Sequence, residues 1–228
     1  MTQLKLITTA DQSSSLLNQE LNETYHSRHG ALQESEHVFI KYGLNYFSEK
    51  ALQSVDILEI GFGTGLNTLL TFVKKKDTQS INYTTLEPFP ISLDIAKQLN
   101  YCSQLKLPEK TLLQFHRLSP NLEHKLGDTF TFKKIISSIE PPYPKNTTWI
   151  HKKYTLIYYD AFGPRAQEKM WTESCFRLAY SLLKPGGILV TFCAKGEVKR
   201  HLKTCGFTVE TLPGPPGKRE MTRAIKNE

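Results

Sequence analysis

Two patterns of apolar residues alternate along this chain: short apolar runs typical of strands, and apolar residues at helical spacing. The apolar, β-branched or aromatic runs at 55–60 and 81–86 are typical of buried strands, whereas 64–75 and 167–183 carry apolar residues at helical spacing. This alternation predicts a mostly parallel sheet with helices on both faces. The other predicted strands lie at 121–126, 154–160, 187–193, 206–212 and 220–225, and the other predicted helices at 90–100, 129–138 and 196–205.

The end of the chain has a different pattern from its middle. The last two predicted strands are separated only by the proline- and glycine-rich segment 213–217, which favours an antiparallel pair at one edge of the sheet. The segment Lys184-Pro185-Gly186-Gly187 is predicted to form a turn before the fifth strand. We therefore expect seven strands, mostly parallel, with an antiparallel last strand.

Length and charge narrow the possibilities further. At 228 residues the chain suits one domain with a proper core, which we divide into an N-terminal cap, 1–52, and an α/β core, 53–228. Lys and Arg number 29 against 22 Asp and Glu, giving a net charge of +7. This excess is compatible with an anionic partner such as RNA but does not identify one.

The cysteines and the apolar runs argue against several other classes of protein. Cys102, Cys175, Cys193 and Cys205 have neither C-x-x-C nor Cys/His ligand spacing, which predicts reduced thiols and no metal site. No run approaches the roughly 20 apolar residues that a membrane span needs. The N-terminal residues lack the apolar segment of a signal peptide. We expect a cytoplasmic protein with no membrane contact.

A glycine-rich turn joins the predicted strand 55–60 to the helix that follows it. Residues 58–66 read Leu-Glu-Ile-Gly-Phe-Gly-Thr-Gly-Leu. The dinucleotide pattern G-x-G-x-x-G would need glycine where Leu66 stands, and the Gly-Lys-Ser/Thr of a P-loop is absent. An acid, Glu59, instead precedes G-x-G-x-G, which is the first motif of S-adenosylmethionine-dependent methyltransferases.

This motif predicts both a cofactor site and a fold class. Glycines at 61, 63 and 65 let the backbone approach a ligand closely. S-adenosylmethionine has no pyrophosphate, but its ammonium and sulfonium groups favour a nearby carboxylate such as Glu59. We therefore assign Glu59, Gly61, Gly63 and Gly65 to cofactor binding, in an α/β, Rossmann-like class I methyltransferase fold.

Two further acids follow predicted strands. Glu87 closes the strand 81–86, 26 residues after Gly61, where a carboxylate can accept hydrogen bonds from ribose hydroxyls. A solvated acid at a strand end is the alternative. Asp128 follows the predicted strand 121–126, and an Asp at that place in methyltransferases usually binds the adenine amine. It could equally cap a helix that begins at Thr129.

The fourth predicted strand, 154–160, ends in Asp160-Ala161-Phe162-Gly163-Pro164. A carboxylate at the carboxyl edge of a parallel sheet faces the ligand crevice. Asp160 could hold an amine in line with the cofactor methyl group and accept its proton, or only orient it. A turn-capping role is the alternative. Upstream, Glu140-Pro141-Pro142-Tyr143 resembles the D/N-P-P-Y signature of amino-methylating enzymes. It has Glu where that signature needs Asp or Asn, and it precedes the strand instead of ending it, so we interpret it as a loop.

The chain resembles a known family through an ordered set of motifs that runs from about residue 10 to 225. It is similar to the methyltransferase domain of MnmC, a bacterial bifunctional enzyme that modifies the tRNA wobble uridine, and to its stand-alone relative MnmD. The matching residues comprise Tyr25-His26-Ser27, Gly30, Glu34, His37-Val38-Phe39, residues 61–67, residues 160–164, Met170-Trp171, residues 184–187, Thr191-Phe192, Val198-Lys199-Arg200, Gly206-Phe207 and residues 218–221.

The resemblance implies N-methylation of 5-aminomethyl-2-thiouridine at the wobble position, with S-adenosyl-L-methionine as the methyl donor. It places the family's fourth-strand Asp on Asp160, its glycines on 61, 63 and 65, and its second-strand acid on Glu87. The flavin-dependent oxidase domain of the bifunctional enzyme is not expected here, so another route would supply the aminomethyl substrate. Gly163 replaces an Ala of many relatives, which we expect to be harmless.

The partner expected from the resemblance is the tRNA anticodon stem-loop, bound by a monomer. Basic residues that could neutralise RNA phosphates lie around the helix after the fifth strand and around the last strand: Lys195, Lys199, Arg200, Lys203, Lys218, Arg219 and Arg223. Of these, Lys199, Arg200, Lys218 and Arg219 are assigned to RNA, and an ordinary solvated basic face is the alternative. Phe162, Trp171 and Tyr25 could stack on a splayed base, although for Trp171 a place in the core is the favoured alternative. Competing functions are methylation of another amine in a protein or small molecule, and RNA binding without catalysis.

Overall fold

The computed structural model describes residues 3–50, 52–143 and 147–227. Its N-terminal part holds a small antiparallel sheet of β1 (Leu4–Thr8), β2 (Ser14–Asn18) and β3 (Glu23–Thr24). A continuous helical run follows, with α1 (Ala31–Ser35), a π-helix (Glu36–Leu44) and α2 (Asn45–Glu49).

The rest of the described chain alternates strands and helices. Its strands are β4 (Ser54–Ile60), β5 (Ser80–Leu86), β6 (Glu123–Lys125), β7 (Phe130–Ile135), β8 (Tyr154–Tyr159), β9 (Leu183–Thr191), β10 (Thr208–Pro213) and β11 (Glu220–Ile225). Its α-helices are α3 (Leu66–Lys74), α4 (Leu93–Ala96), α5 (Tyr101–Gln104), α6 (Lys110–Arg117), α7 (Glu173–Leu182) and α8 (Gly196–Thr204). Two 3₁₀ segments cover Trp149–His151 and Glu168–Trp171.

The central sheet has the order β10-β11-β9-β8-β4-β5-β7-β6. The five inner strands from β9 to β7 are parallel, whereas β11 is antiparallel to both of its neighbours. The mostly parallel sheet and the antiparallel last strand are confirmed. The described residues of this sheet form eight strands rather than the expected seven, because β7 lies in a segment that was predicted as a helix. The predicted strand 121–126 supplies the short antiparallel edge strand β6.

Each face of this sheet covers its own apolar core, since successive strand residues point to opposite faces. Ile57 packs on the face covered by α3 and the π-helix, and Leu58 on the face covered by α7. The π-helix lies so close to the sheet that a Cβ on Gly43 would come within 3.1 Å of the Tyr158 ring. The helical half of the segment 1–52 therefore packs directly on the sheet.

The predicted helix 129–138 is wrong, because this segment contains β7, a parallel neighbour of β5. Its first residues alternate in the strand period: Phe130 and Phe132 are buried, whereas Thr131 and Lys133 are half-buried. The earlier segment 121–126, predicted as the third parallel strand, supplies only the edge strand β6. This misassignment bears directly on the expected role of Asp128.

The remaining differences are smaller. The segment 184–187, predicted as a turn, lies inside β9, and the helix predicted at 90–100 is shortened to α4. The sequence analysis missed α5 and α6. No helix among the described residues is long and apolar enough to cross a membrane.

Candidate cofactor and substrate cleft

A cleft of about 1830 Å³ opens where the parallel strands end. The glycine turn after β4, the residues after β5, β7, β8 and β9, and the segment from Asn18 to Glu34 all contribute to its walls. Carboxyl ends of neighbouring parallel strands meet at one edge of the sheet, so this location follows from the fold. The cleft brings together most of the residues that the sequence predicted as functional.

The glycine turn has the geometry that its sequence requires. Gly61, Gly63 and Gly65 have φ values of +92°, +50° and +77°, a region that favours glycine. A Cβ on Gly61 would lie 2.6 Å from the backbone oxygen of Asp160, so the turn must pass very close to the end of β8. Gly61 and Gly63 line the cleft, whereas Gly65 begins α3 behind it.

Two histidines hold the turn at Thr64, of which His26 is buried and His116 half-buried. The His116 Nε2 donates to the Thr64 carbonyl oxygen at 3.0 Å, and the His26 Nε2 lies 3.4 Å from the Thr64 hydroxyl. Burial lowers the pKa of each histidine to about 4. Both rings are therefore neutral near pH 7 and act as fixed hydrogen-bonding groups.

Glu87 lies at the end of β5 and is bound to the glycine turn. Its Oε2 accepts from the Gly63 N–H at 2.9 Å and its Oε1 from the Phe89 N–H at 2.8 Å. A carboxylate has about four acceptor positions, so these hydrogen bonds leave capacity for a ligand hydroxyl. Burial raises the pKa of Glu87, and the backbone hydrogen bonds oppose that shift.

Glu59 does not lie on the cleft wall, which corrects its assignment as a direct cofactor ligand. The strand period places it on the face of β4 that α3 covers, where it is 0% exposed. The Thr68 hydroxyl donates to its Oε2 at 3.3 Å. Burial raises the pKa of Glu59 to about 7, against the effect of the polar groups around it.

Asp160 follows β8 and lines the cleft, as predicted. The Asn67 Nδ2, from the first turn of α3, donates to its Oδ2 at 2.8 Å. Burial raises the pKa of Asp160 well above its usual range, and the negative charge of Glu34 acts in the same direction. The Asn67 hydrogen bond and the positive charge of Lys218 act against this rise.

Asp128 is placed outside the cleft, which corrects its assignment to adenine binding. It lies exposed in the turn between β6 and β7, before the third parallel strand rather than after it. The residues after that strand that line the cleft are Ser137, Ser138 and Glu140. The sequence signal that could have found them is the alternation of Phe130 and Phe132, which identifies the true strand.

Of the aromatic residues considered from the sequence, two line the cleft and one is buried. Phe162 and Tyr25 both line the cleft and make an edge-to-face contact, with their ring centroids 4.9 Å apart. Trp171 is 3% exposed, and its Nε1 donates to the Phe162 backbone oxygen at 2.7 Å. Trp171 therefore belongs to the core and supports the loop that carries Phe162.

The predicted RNA-binding residues fall into two groups. Lys218 and Arg219 line the cleft, and the Lys218 ammonium lies 2.5 Å from Glu34 and over the Phe192 ring. Lys199 and Arg200 lie on α8 outside the cleft lining, and Lys199 pairs with Glu220 at 2.8 Å. Lys195, also considered for RNA from the sequence, lines the cleft as well, and sequence reasoning missed one further cation in the lining, Arg165.

Comparison with known proteins identifies the family of this chain. A family model described as S-adenosyl-L-methionine-dependent methyltransferase matches residues 103–227, which is more than half of the sequence. The chain belongs to this methyltransferase family. Its cofactor is therefore S-adenosyl-L-methionine, and its fold is the α/β class I methyltransferase fold with a mostly parallel sheet.

The chain is also similar to curated bacterial proteins named tRNA 5-methylaminomethyl-2-thiouridine biosynthesis bifunctional protein MnmC. The protein of Leptospira interrogans strain Fiocruz L1-130 is 30% identical over 215 residues, covering 90% of this chain and 33% of its own length. That of Cupriavidus necator is 32% identical over 213 residues, covering 89% and 32%. The chain thus spans about a third of the length of these relatives.

Two solved structures share the fold. MnmC2 from Aquifex aeolicus superposes with a TM-score of 0.77 at 21% identity, over 98% of this chain and 70% of that one. Spermidine synthase from Thermotoga maritima gives a TM-score of 0.54 at 14% identity, over 99% and 74%. At such identities these matches establish the arrangement of the elements.

The residues of the cleft fit S-adenosyl-L-methionine. The glycine turn leaves room at Gly63, where a Cβ would contact only the Tyr25 ring at 3.0 Å. Glu87, Glu34 and Asp160 concentrate negative charge along the walls, which complements an ammonium and a sulfonium. Among the described residues, no three His, Cys, Asp or Glu side chains are grouped so that they could hold a metal ion.

Proposed function

We propose that this methyltransferase transfers a methyl group to the amine of 5-aminomethyl-2-thiouridine at the tRNA wobble position, giving 5-methylaminomethyl-2-thiouridine. The observation that carries this proposal is the match of about 90% of the chain to one continuous part of proteins named for that product. The proposal includes the anticodon stem-loop as the RNA element, a monomeric enzyme and a cytoplasmic location.

The cofactor would be held by Gly61 and Gly63 on one side and by Glu87 on the other. Glu87 is already oriented by two backbone N–H groups, and its free acceptor positions suit ribose hydroxyls. When bound, the cofactor supplies a methyl group on a positively charged sulfur, which leaves as a neutral thioether.

Asp160 would act on the substrate amine. A primary amine is protonated near neutral pH, and an ammonium has no lone pair with which to attack. A carboxylate with a raised pKa is a stronger proton acceptor than an ordinary Asp, so Asp160 is suited to take the amine proton. The same contact would orient the nitrogen toward the methyl group.

The mouth of the cleft supplies groups for RNA. Arg165, Lys195 and Arg219 are exposed cations on its lining, where they could neutralise phosphates of the anticodon loop. Phe162 and Tyr25 offer aromatic surface for a base that has left its stack. Lys199 and Arg200 would extend this surface along α8.

The decisive experiment is methyl transfer to tRNA that carries aminomethyl-thiouridine, followed by nucleoside mass spectrometry. We expect conversion to the methylaminomethyl nucleoside by the parent protein. We expect a loss of kcat of roughly 10²- to 10⁴-fold in Asp160→Asn, since a positioned proton acceptor contributes that much. Methylation of small amines or proteins instead of tRNA would contradict the substrate. Parental turnover by Asp160→Asn from pH 6 to 9 would contradict the role of Asp160.

A further inference from the structure

Several buried polar atoms around Glu59 are unpaired. Within the described residues, these are the Glu59 Oε1, the Asn67 Oδ1 and the hydroxyls of Tyr83 and Thr85. Buried polar atoms are nearly always paired, because an unmade hydrogen bond leaves the full cost of desolvation. The Glu59 and Asn67 oxygens are both acceptors, so a proton must be supplied before they can bond to one another.

The hydrogen bond to Asp160 fixes the orientation of the Asn67 side-chain amide. Its Nδ2 donates to Asp160, so its Oδ1 must point away from that carboxyl. The opposite assignment would turn an amide oxygen toward Asp160 and leave two acceptors in contact. Asn67 is among the groups whose hydrogen bonding acts on Glu59, which places the two side chains together.

We propose that Asn67 positions the Asp160 carboxylate for methyl transfer, and that a protonated Glu59 donates to the Asn67 Oδ1 and holds the amide in this orientation. One proton on Glu59 then satisfies both unpaired oxygens. The inference rests on the proposed function, since it assigns positioning residues to the carboxylate that would bind the amine. Glu59 thereby acts on the site through Asn67 rather than by touching the cofactor.

Burial favours the neutral form of Glu59, which is 0% exposed. Hydrogen bonding by the hydroxyls of Thr68, Tyr83 and Thr85 and by Asn67 acts in the opposite direction, and no cation is among these groups. An ionised carboxyl without a cationic partner is costly in such a place. Burial accordingly raises the pKa of Glu59 to about 7.

Asp160 faces a different set of charges. Glu34 from α1 and Glu59 from β4 raise its pKa, whereas Lys218 from the loop before β11 and the Asn67 amide lower it. If Glu59 is neutral, it no longer repels the negative charge of Asp160. Asn67 is then the uncharged group that stabilises the Asp160 carboxylate directly.

Variants of Asn67 test the first half of the proposal. Asn67→Ala should lower kcat about 10- to 100-fold, the range seen when outer partners that orient metal ligands are removed. It should also move the acid limb of the kcat profile to higher pH, because the carboxylate loses a hydrogen bond. Affinity for S-adenosyl-L-methionine should stay at the parental value. The matched control is Thr71→Val, a buried change one turn further along α3, at a hydroxyl that donates to the Asn67 backbone oxygen.

Variants of Glu59 test the second half. Glu59→Gln keeps a donor for the Asn67 oxygen and should retain the parental kcat and pH profile, whereas Glu59→Leu should resemble Asn67→Ala. In the infrared spectrum of the folded protein near pH 6, Glu59→Gln should remove one protonated-carboxyl band that Asp160→Asn leaves in place. This spectrum remains informative if Glu59→Leu does not fold.

The outcomes distinguish the proposed role of Asp160 from the positioning roles of Asn67 and Glu59. A parental rate in Asp160→Asn would overturn the proposed role of Asp160. An inactive Asp160→Asn together with a parental rate and pH profile in Asn67→Ala would overturn the positioning role alone. An inactive Glu59→Gln, or an unchanged infrared spectrum, would show that Glu59 is ionised and overturn its role as donor.

Discussion

The turns at Gly61 and Gly127 each contain a glycine with positive φ near an acidic residue, yet they lie at opposite edges of the central sheet. Gly61 follows β4 at the carboxyl edge, where a Cβ would come within 2.6 Å of the Asp160 backbone oxygen. Gly127 lies between two antiparallel strands at the other edge, and a Cβ there would have no atom within 4 Å. Positive φ therefore indicates a turn, whereas a ligand site also needs the carboxyl edge of parallel strands.

The strongest test of this contrast is a pair of glycine substitutions. Gly63→Val should abolish binding of S-adenosyl-L-methionine, because a branched side chain enters the space next to Tyr25 that the ligand needs. Gly127→Val imposes a comparable backbone strain, of about 1–3 kcal/mol, but should leave binding unchanged. Isothermal titration calorimetry on both folded variants measures this. Equal affinity in the two variants would contradict the difference between the two turns.

Removing the acid at the cleft edge should have the next largest effect. Glu87→Ala should weaken cofactor binding by about 1–3 kcal/mol, since it removes acceptors for the ribose and frees the Gly63 N–H. Titration of the cofactor into Glu87→Ala and the parent gives the difference. An unchanged dissociation constant would show that Glu87 only supports the turn.

Two acids at opposite edges should influence stability with opposite signs. The folded-state pKa of Asp160 is raised mainly by burial, so ionisation at neutral pH costs stability. For Asp56 in β4, burial also raises the pKa, but hydrogen bonds from Lys184 and Asn82 outweigh it and the net pKa is lowered. Ionisation of Asp56 therefore stabilises the fold above its unfolded-state pKa.

Asp160→Asn should raise the melting temperature at pH 8, and this gain should shrink as the pH falls toward the unfolded-state pKa of Asp. Asp56→Asn should lower the melting temperature at pH 8, and this loss should shrink as the pH falls through the folded-state pKa. Thermal melts of both variants from pH 3 to 8 give the comparison. The same sign for both variants at pH 8 would contradict it.

The smallest effect is expected at Asp128. Its side chain is exposed and lies outside the cleft, so Asp128→Ala should change cofactor affinity by less than about 0.5 kcal/mol. Calorimetry beside Glu87→Ala provides the reference. A loss comparable to that of Glu87→Ala would return Asp128 to the binding site.

Much of the site could be predicted because its signals are local. The glycine turn between β4 and α3 and the acids that end β5 and β8 each follow a run of strand-forming residues. Asp128 was assigned wrongly for the same reason that β7 was missed. A short polar segment with one turn residue imitates a strand end, and only the alternation of Phe130 and Phe132 marks the true strand.

Other features depend on contacts between distant parts of the chain. Glu34 and Lys218 are 184 positions apart and pair at the cleft. Asn67 and Asp160, 93 positions apart, are joined by a hydrogen bond. Sequence spacing does not encode such pairs, because packing of α1, α3 and the loop before β11 around the sheet decides them.

The sequence by itself determined the α/β class, the glycine turn, the acids at the ends of β5 and β8, and the membership of a methyltransferase family. These features depend on residue type and on periods of two to four residues, which are local properties of the chain. Tertiary structure alone decided that Glu59 is buried beneath the cleft and that Asp128 lies at the opposite edge. The physical reason is that the sheet edge and the strand face that a side chain occupies are fixed by strand order and helix packing.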